Sequence, residues 1–226
     1  MQGLLVINLG TPGAPTTAEV RRYLAEFLSD PRVLEMHPVA RFCLLHGAIL
    51  RTRPAKSAAA YRSVWTEEGS PLLVNGQKLH RALSAELGQS WKVELGMRYG
   101  EPSISSAMDR LVKAGCGRIV VFPLYPHYAS SSTGTALEQV YRLAGERYVP
   151  PDIAVVPPFF GDPGYLDACA ESFGDLTEVD HVLFSFHGLP EKQVMGAAFD
   201  GAGCLTSEHC CDVMQPSNRS CYRAQC

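Results

Sequence analysis

Five of the eight cysteines in this chain lie close together near its end. Thiolates at such short, unequal spacings either close disulfides, hold zinc or bridge the irons of an iron–sulfur cluster. The N-terminus opens directly on an apolar run, without the basic stretch and cleavage site of an export signal. A reducing cytoplasm therefore fits best, and it favours a metal over disulfides. The five candidate ligands are Cys204, Cys210, Cys211, Cys221 and Cys226.

The other three cysteines, Cys43, Cys116 and Cys169, stand singly among apolar residues. We expect each of them to be a buried free thiol, because isolated cysteines in such surroundings behave as small apolar side chains.

Histidines supply the second set of reactive side chains. His187 ends an apolar run, and the following Gly188 and Pro190 force a turn that leaves the imidazole ring at the surface of a cleft. An imidazole there can accept a proton or bind a divalent metal, although a histidine at the end of a strand is also a common structural residue. His127, which lies in an aromatic run, is the other candidate.

A run of hydroxyl side chains at residues 130–133 precedes Gly134 and a predicted helix. It could cap the helix or contact a ligand, and the two interpretations are equally supported. The run lacks the glycines and lysine of a phosphate-binding loop, and the chain has no Gly-x-Gly-x-x-Gly motif, so a nucleotide site is disfavoured.

The elements that must position these residues alternate between strands and helices. The pattern predicts strands at residues 4–9, 93–99, 118–125, 153–156 and 181–186, and helices at 17–27, 38–53, 57–66, 71–83, 104–114, 135–148 and 164–173. This order indicates an α/β fold with a parallel sheet, whose ligands bind at the carboxyl ends of the strands. A break at Pro150-Pro151 predicts a first domain at residues 1–149 and a second, incomplete one at residues 150–226.

Charge and hydropathy exclude other classes of protein. The net charge of −3 and the pI near 6.2 argue against a nucleic-acid partner, which requires a basic surface. The longest apolar stretch, at residues 42–50, is too short to span a bilayer. It favours a helix in the core, with contact to a membrane surface or an apolar ligand as the alternative.

Taken together, the motifs resemble those of the ferrochelatases, which insert ferrous iron into a porphyrin. The resemblance covers nearly the whole chain, and the motifs occur in the family's order. They are Ile7-Asn8-Leu9-Gly10-Thr11-Pro12, Gly69-Ser70-Pro71-Leu72, Met97-Arg98-Tyr99, Pro123-Leu124-Tyr125-Pro126-His127-Tyr128, Ser131-Ser132-Thr133-Gly134 and Ser185-Phe186-His187-Gly188-Leu189-Pro190-Glu191.

This resemblance implies a chelatase-like fold of two similar Rossmann-like domains, and a reaction that makes haem from Fe²⁺ and protoporphyrin IX with release of two pyrrole protons. It implies that His187 is catalytic, binding the incoming Fe²⁺ or taking up a pyrrole proton. It also implies that the segment at residues 42–50 forms a lip over the site that faces a membrane in some members. The residues implied to contact the porphyrin are Leu9, Arg53, Ser70, Arg98, Tyr99, Tyr125 and Tyr128.

Two features depart from the family pattern. The family continues to an Asp-His-x-Glu-Thr-Leu motif, whereas the Asp-His pair of this chain, Asp180-His181, is followed by Val182. We therefore expect a ferrochelatase shortened in its second half, with weak or no activity alone. The alternatives are a non-catalytic remnant that binds porphyrin or an iron–sulfur cluster, and a coproporphyrin ferrochelatase.

The second departure is the cysteine-rich segment, which resembles that of bacterial ferrochelatases with an internal [2Fe–2S] cluster. Four of the five thiolates suffice for a cluster. We expect either Cys210 or Cys211 to be surplus, because adjacent residues seldom reach the same cluster. Zinc bound by four cysteines is the alternative.

Overall fold

The computed structural model describes residues 1–198 and 204–226. The chain divides into two compact units. Unit 1 comprises Met1–Leu124 and Ser131–Val156, and unit 2 comprises Tyr125–Ser130 and Pro157–Cys226.

Unit 1 is built on a four-stranded parallel sheet with the strand order β2-β1-β3-β4. The strands are β1 (Gln2–Gly10), β2 (Trp91–Tyr99), β3 (Arg118–Pro123) and β4 (Asp152–Val155). The predicted α/β fold with a parallel sheet is confirmed. The strand expected to open the second domain is β4, and it pairs with β3 at the edge of this first sheet. The domain boundary between residues 149 and 150 stays a prediction.

The helices of unit 1 begin where their sequences provide caps. Thr16 caps the first helix by accepting a hydrogen bond from the Glu19 N–H, and Pro71 occupies the first turn of the helix that follows Ser70. The helices are α1 (Thr17–Ser29), α2 (Pro38–Leu44), α3 (Leu50–Val64), α4 (Pro71–Leu87), α5 (Ile104–Lys113) and α6 (Thr135–Gly145).

The two helices predicted at residues 38–53 and 57–66 form one continuous helical run. A π-helical turn, Leu45–Ile49, joins α2 to α3. Pro54 lies inside α3 and has no N–H to donate to the carbonyl of Leu50. Arg21 Nε of α1 donates to that carbonyl instead, at 3.1 Å. This replacement bond explains why the proline does not end the helix.

The core of unit 1 covers both faces of the sheet. On one face Leu4, Val6 and Leu95 belong to a cluster with Leu72 and Leu79 of α4. On the other face Gly96 lets α5 approach closely, since a Cβ there would lie 3.0 Å from Ile104 Cα. Burial on both faces is what a parallel sheet requires.

Within its described residues, unit 2 has little regular structure. Its helices are α7 (Pro163–Phe173), α8 (Glu191–Gly196) and the four-residue α9 (Tyr222–Gln225). The strand predicted at residues 181–186 does not form, and these residues have no regular secondary structure. Leu183 is 91% exposed and Phe184 is 68% exposed. The apolar pattern of a buried strand is present, but no strand in the described ranges pairs with it, and a strand needs a neighbour to satisfy its backbone.

Two expectations about burial were wrong. The segment at residues 42–50 is not a core helix: Leu45 and Leu50 are buried, but Phe42 is 63% exposed, so the segment lies on the surface with one apolar side inward. Cys116 is buried as expected, whereas Cys43 is exposed and Cys169 is half-buried, although all three are free thiols. Across the two described ranges, no helix has both the length and the apolar character needed to cross a membrane.

Candidate functional site

The carboxyl ends of β1 and β2 meet at a glycine. Gly10 pairs with Tyr99 and has φ +112°. A Cβ at Gly10 would lie 1.8 Å from the Tyr99 carbonyl oxygen, so only glycine allows this approach. Leu9 is half-buried beside it, and just beyond, the buried hydroxyls of Thr11 and Ser70 are hydrogen-bonded at 2.8 Å. The structure thus brings Leu9, Ser70 and Tyr99 together at the carboxyl ends of β1 and β2.

Asp30 organises these strand ends. Its carboxylate, only 4% exposed, accepts hydrogen bonds from Arg98 Nη2 at 2.5 Å and from the Tyr99 hydroxyl at 2.9 Å. The Thr135 hydroxyl and the Arg32 backbone N–H also donate to it. Burial raises the pKa of Asp30, but these hydrogen bonds and the Arg98 charge outweigh that effect and hold the pKa below its usual value. Asp30 is therefore a fixed anion joining α1, β2 and α6.

Arg98 is held on several sides. Its Nε donates to the Thr135 hydroxyl at 2.7 Å, and its guanidinium carbon lies 4.4 Å from the centre of the Tyr99 ring. Tyr99 is fully buried, and burial raises its pKa well above the usual value. The guanidinium is thus pre-oriented by protein contacts. Arg53, the other arginine predicted to contact porphyrin, lies at an exposed position of α3.

The hydroxyl run at residues 130–133 belongs to a π-helical turn, Ser130–Gly134, that leads into α6. The N-cap residue of α6 is Gly134, which has no side chain to cap the helix. The Thr133 hydroxyl is buried and has no hydrogen-bond partner among the described residues.

In unit 2, His127 is enclosed by aromatic rings. Its imidazole is stacked on Phe160 at 5.8 Å and meets the edges of Phe186 and Tyr222 at 5.6 and 5.7 Å. Burial lowers the pKa of His127, so the ring is neutral at physiological pH. These contacts indicate a packing role for His127. The neighbouring predicted residues Tyr125 and Tyr128 are half-buried.

His187 is exposed and lines a cavity of about 320 Å³ together with Phe186, Leu189, Tyr222 and Cys226. Burial raises the pKa of Tyr222, while a hydrogen bond from the His187 backbone lowers it. The turn that carries His187 is therefore attached to α9. The cavity combines an imidazole with an apolar wall, which suits a proton acceptor beside a flat apolar ligand.

Four of the five candidate cysteine ligands line a second cavity, of about 270 Å³. Cys210 Sγ lies 3.4 Å from Cys211 Sγ, which lies 4.0 Å from Cys221 Sγ. Cys204 lines the same cavity, whereas Cys226 lines the cavity of His187. The adjacent residues Cys210 and Cys211 therefore both lie beside another thiol. Burial and the Cys221 thiol raise the pKa of Cys226. Within residues 1–198 and 204–226, no three histidine, cysteine or acidic side chains converge as ligands of a single metal ion.

Comparison with known proteins decides the family. The sequence model of the ferrochelatase family matches residues 1–226. The chain belongs to the ferrochelatase family. It is 40% identical to the ferrochelatase of Coxiella burnetii, over 99% of this chain and 63% of that protein. It is 44% identical to the ferrochelatase of Azotobacter vinelandii, over 99% of this chain and 66% of that protein. It is 39% identical to the ferrochelatase of Legionella pneumophila, over 100% of this chain and 66% of that protein.

This member of the ferrochelatase family spans less than two thirds of the length of these curated relatives: 63% of the Coxiella burnetii protein and 66% of the Azotobacter vinelandii protein.

The sequence motifs identified the family, but they did not include the residues that hold the candidate site together. Asp30 is separated from Arg98 by 68 positions, and Gln225 bonds to Tyr128 across 97 positions. Neither residue lies in a motif. The only local signal for Asp30 is its position at the end of an amphipathic helix, before Pro31.

Proposed function

We propose that this chain takes part in inserting Fe²⁺ into protoporphyrin IX, the lyase reaction that ends haem synthesis, in the cytoplasm. The observation that carries the proposal is the match to the ferrochelatase family over residues 1–226. Porphyrin and ferrous iron are then the substrates, and two pyrrole protons are released for each metal ion inserted.

His187 is the proposed acceptor of these protons. Each pyrrole N–H must lose its proton before the nitrogen can bind iron, and a positioned imidazole can take one proton at a time. The exposure of His187 lets it pass each proton to water before accepting the next. The same ring nitrogen, when neutral, can also bind the incoming Fe²⁺.

In unit 1, Arg98 is proposed to bind a propionate of the porphyrin. Asp30 and Thr135 already fix its guanidinium, so little side-chain entropy is lost when a carboxylate binds. Tyr99 is buried under this guanidinium and supports it. We propose further porphyrin contacts from Leu9, Ser70 and the exposed Arg53 in unit 1, and from Tyr125 and Tyr128 in unit 2.

The exposed apolar side chains of α2 favour peripheral contact with a membrane. Val39 is 64% exposed and Phe42 is 63% exposed on the same short helix. Such a surface would bring the protein to the bilayer in which an apolar porphyrin dissolves.

The test measures binding and metal insertion separately. Protoporphyrin IX is titrated into the protein by fluorescence, and anaerobic Fe²⁺ is then added while the absorbance of the metalloporphyrin is followed. For His187→Ala we expect insertion to fall by about 10²-fold, the usual loss for a general base, with porphyrin affinity changed by less than about threefold. The matched control is His181→Ala, an exposed histidine in the same extended segment.

Retention of wild-type insertion by His187→Ala would remove this residue from the mechanism. Porphyrin binding without insertion by the wild-type chain would support the non-catalytic alternative. A parallel titration with coproporphyrin III distinguishes the remaining alternative, since tighter binding of the porphyrin with four carboxylates would favour it.

We further propose that Cys204, Cys210, Cys211 and Cys221 hold a [2Fe–2S] cluster. The sulfur separations of 3.4 and 4.0 Å bracket about 3.8 Å, the edge of a tetrahedron with metal–sulfur bonds of about 2.3 Å. In a [2Fe–2S] cluster each iron takes two cysteines, so the site needs pairs of close thiols and not one convergent set of four. Both separations share Cys211 and would also suit one zinc ion bound by four cysteines. The choice of a cluster therefore rests on the resemblance of this segment to that of ferrochelatases with an internal [2Fe–2S] cluster.

The electrostatics of this cavity also favour a metal. Burial and the neighbouring thiols Cys210 and Cys221 raise the pKa of Cys211 to about 12. Burial and the thiols Cys221 and Cys210 likewise raise the pKa of Cys204. Several thiolates cannot share this cavity without a cation, which would displace the protons. A bound cluster would cross-link the segment and supply a one-electron redox centre.

Anaerobically purified protein should then be brown and contain about two acid-labile sulfides per chain. Cys211→Ser should lose the colour, whereas Cys43→Ser, at an exposed cysteine of unit 1, should keep it. Colourless protein that contains one zinc ion per chain would overturn the assignment in favour of zinc.

A further inference from the structure

The side chain of Gln225 connects the cysteine-rich segment to the loop that carries Tyr128. Its Oε1 accepts a hydrogen bond from the Tyr128 backbone N–H at 2.7 Å, and its Nε2 donates to the Arg219 carbonyl at 2.7 Å. Gln225 is 7% exposed. Buried polar bonds of this kind are costly to break, because each broken bond leaves an unsatisfied group.

On the cysteine side, Gln225 depends on Cys221. The Cys221 carbonyl accepts the Gln225 N–H at 3.1 Å, and Cys221 is itself buried at the start of α9. A helix of four residues is not stable by itself. The direction in which α9 presents Gln225 therefore depends on where Cys221 is held, and Cys221 Sγ lies 4.0 Å from Cys211 Sγ.

On the other side, the loop at residues 125–130 depends on its neighbours for order. The Pro126 carbonyl accepts bonds from the backbone N–H groups of Phe159 and Phe160 at 3.0 and 3.1 Å. The His127 ring packs on Tyr222 of α9. The bond from Tyr128 to Gln225 adds a direct polar link to α9 at the residue proposed to contact porphyrin.

We propose that Gln225 is a positioning residue that couples metal binding at the cysteines to the order of the loop at residues 125–130. Metal bound to Cys221 fixes the start of α9. Gln225, one helical turn after Cys221, is then held in the position from which its side chain binds the Tyr128 backbone N–H. Linkage makes the effect reciprocal, so a ligand that orders this loop also tightens metal binding. The inference rests on the proposed function in two respects, namely that Tyr128 contacts porphyrin and that the cysteines bind metal.

The experiment uses the reduced 226-residue chain with Zn²⁺ alone as the metal probe. Hydrogen exchange of peptides spanning residues 125–130 is measured by mass spectrometry with and without Zn²⁺, for the wild type and for Gln225→Ala. We expect Zn²⁺ to slow exchange of the Tyr128 amide by about tenfold in the wild type, the effect of one hydrogen bond. In Gln225→Ala, exchange should be fast in both states although Zn²⁺ still binds.

Two further variants separate positioning from a general loss of structure. Gln225→Glu keeps the acceptor for the Tyr128 N–H, so the protection in Zn²⁺ should largely return. Gln77→Ala, at an exposed position of α4 in unit 1, should behave as the wild type. Equal protection by Zn²⁺ in the wild type and Gln225→Ala would overturn the proposal, as would failure of the wild type to bind Zn²⁺.

Failure of the proposed function is visible separately. Hydrogen exchange needs no porphyrin, so a chain that shows the Zn²⁺ effect but fails to quench protoporphyrin fluorescence keeps the coupling and loses the porphyrin assignment. Where porphyrin binds, its affinity should rise on addition of Zn²⁺ in the wild type and not in Gln225→Ala.

Discussion

Units 1 and 2 each use one buried polar side chain to join segments that are far apart in sequence, but they differ in what surrounds it. In unit 1 the Asp30 carboxylate receives donors from Arg98, Tyr99 and Thr135 above a sheet with apolar side chains packed on both faces. In unit 2 the neutral Gln225 amide joins Tyr128 to Arg219. Among the residues the structure describes, the buried apolar side chains of unit 2 are only Ala129, Val194 and Cys221.

This difference indicates that the two units are stabilised by different means. Burial of apolar surface is the main source of folding free energy, and unit 1 has enough of it to support a buried charge. Unit 2 has little, and it relies on aromatic contacts around His127, on a few polar bonds and on its cysteines. Small domains with weak cores commonly depend on metal in this way. Unit 1 should therefore be rigid and intolerant of substitution, whereas unit 2 should respond to metal and pH.

The largest expected effect is the loss of stability caused by replacing a glycine in unit 1, which is compared below with a glycine replacement in unit 2. Gly10→Ala would place a Cβ 1.8 Å from the Tyr99 carbonyl oxygen at φ +112°, so β1 and β2 would have to separate. We expect unit 1 to lose about 3–5 kcal/mol of unfolding free energy. Trp65 and Trp91 both lie in unit 1, so tryptophan fluorescence during urea unfolding reports this unit.

The comparison variant in unit 2 is Gly188→Ala, next to His187. No heavy atom lies within 4 Å of its added Cβ, and Gly188 has no positive φ. We expect the free energy of unfolding of unit 2 to change by less than about 0.5 kcal/mol, as for most exposed substitutions. Hydrogen exchange of unit 2 peptides measures this change. Gly47→Ala is the control inside unit 1, because its Cβ also meets nothing within 4 Å. If Gly10→Ala were as stable as Gly47→Ala, the sheet edge would not be the rigid element described here.

The same difference explains which parts of the structure could be predicted from the sequence. The strands and helices of unit 1 follow from local apolar patterns and caps, because its sheet satisfies each strand with a neighbour. The segment at residues 181–186 has the same pattern, yet a strand exists only where a partner pairs with it. The local apolar pattern at residues 181–186 therefore predicted a strand, but it could not show whether a neighbouring strand would pair with it.

The candidate site shows a similar limit. Motifs identified Arg98, Tyr99 and Tyr128 as candidates, since Arg98 and Tyr99 end a strand and Tyr128 lies in a distinctive aromatic run. The residues that hold them, Asp30 and Gln225, act over 68 and 97 positions and sit in ordinary polar sequence. A single acidic or amide side chain has no recognisable pattern until the fold brings its partner close.

The smallest expected effect is a difference in acid sensitivity. The pKa of His127 is lowered by burial, so the unfolded state binds a proton more readily than the folded state. The stability that neutral His127 confers on unit 2 is present above the unfolded pKa of about 6.5 and is lost as the pH falls below it. The pKa of Asp30 is also lowered, from 3.8, so the corresponding loss in unit 1 begins only as the pH falls below about 4.

Hydrogen exchange corrected for its intrinsic pH dependence should therefore rise in unit 2 peptides between pH 6.5 and 5, while unit 1 peptides stay protected until about pH 4. His127→Phe keeps a ring among Phe160, Phe186 and Tyr222 but cannot bind a proton, so it should move the opening of unit 2 to lower pH.

Asp30→Asn should weaken unit 1 by about 2 kcal/mol at neutral pH, because it loses charged hydrogen bonds, and should reduce its acid response. If both units opened together below pH 4 in the wild type, the titration of His127 and Asp30 would not distinguish them. The two units would then differ in apolar packing alone.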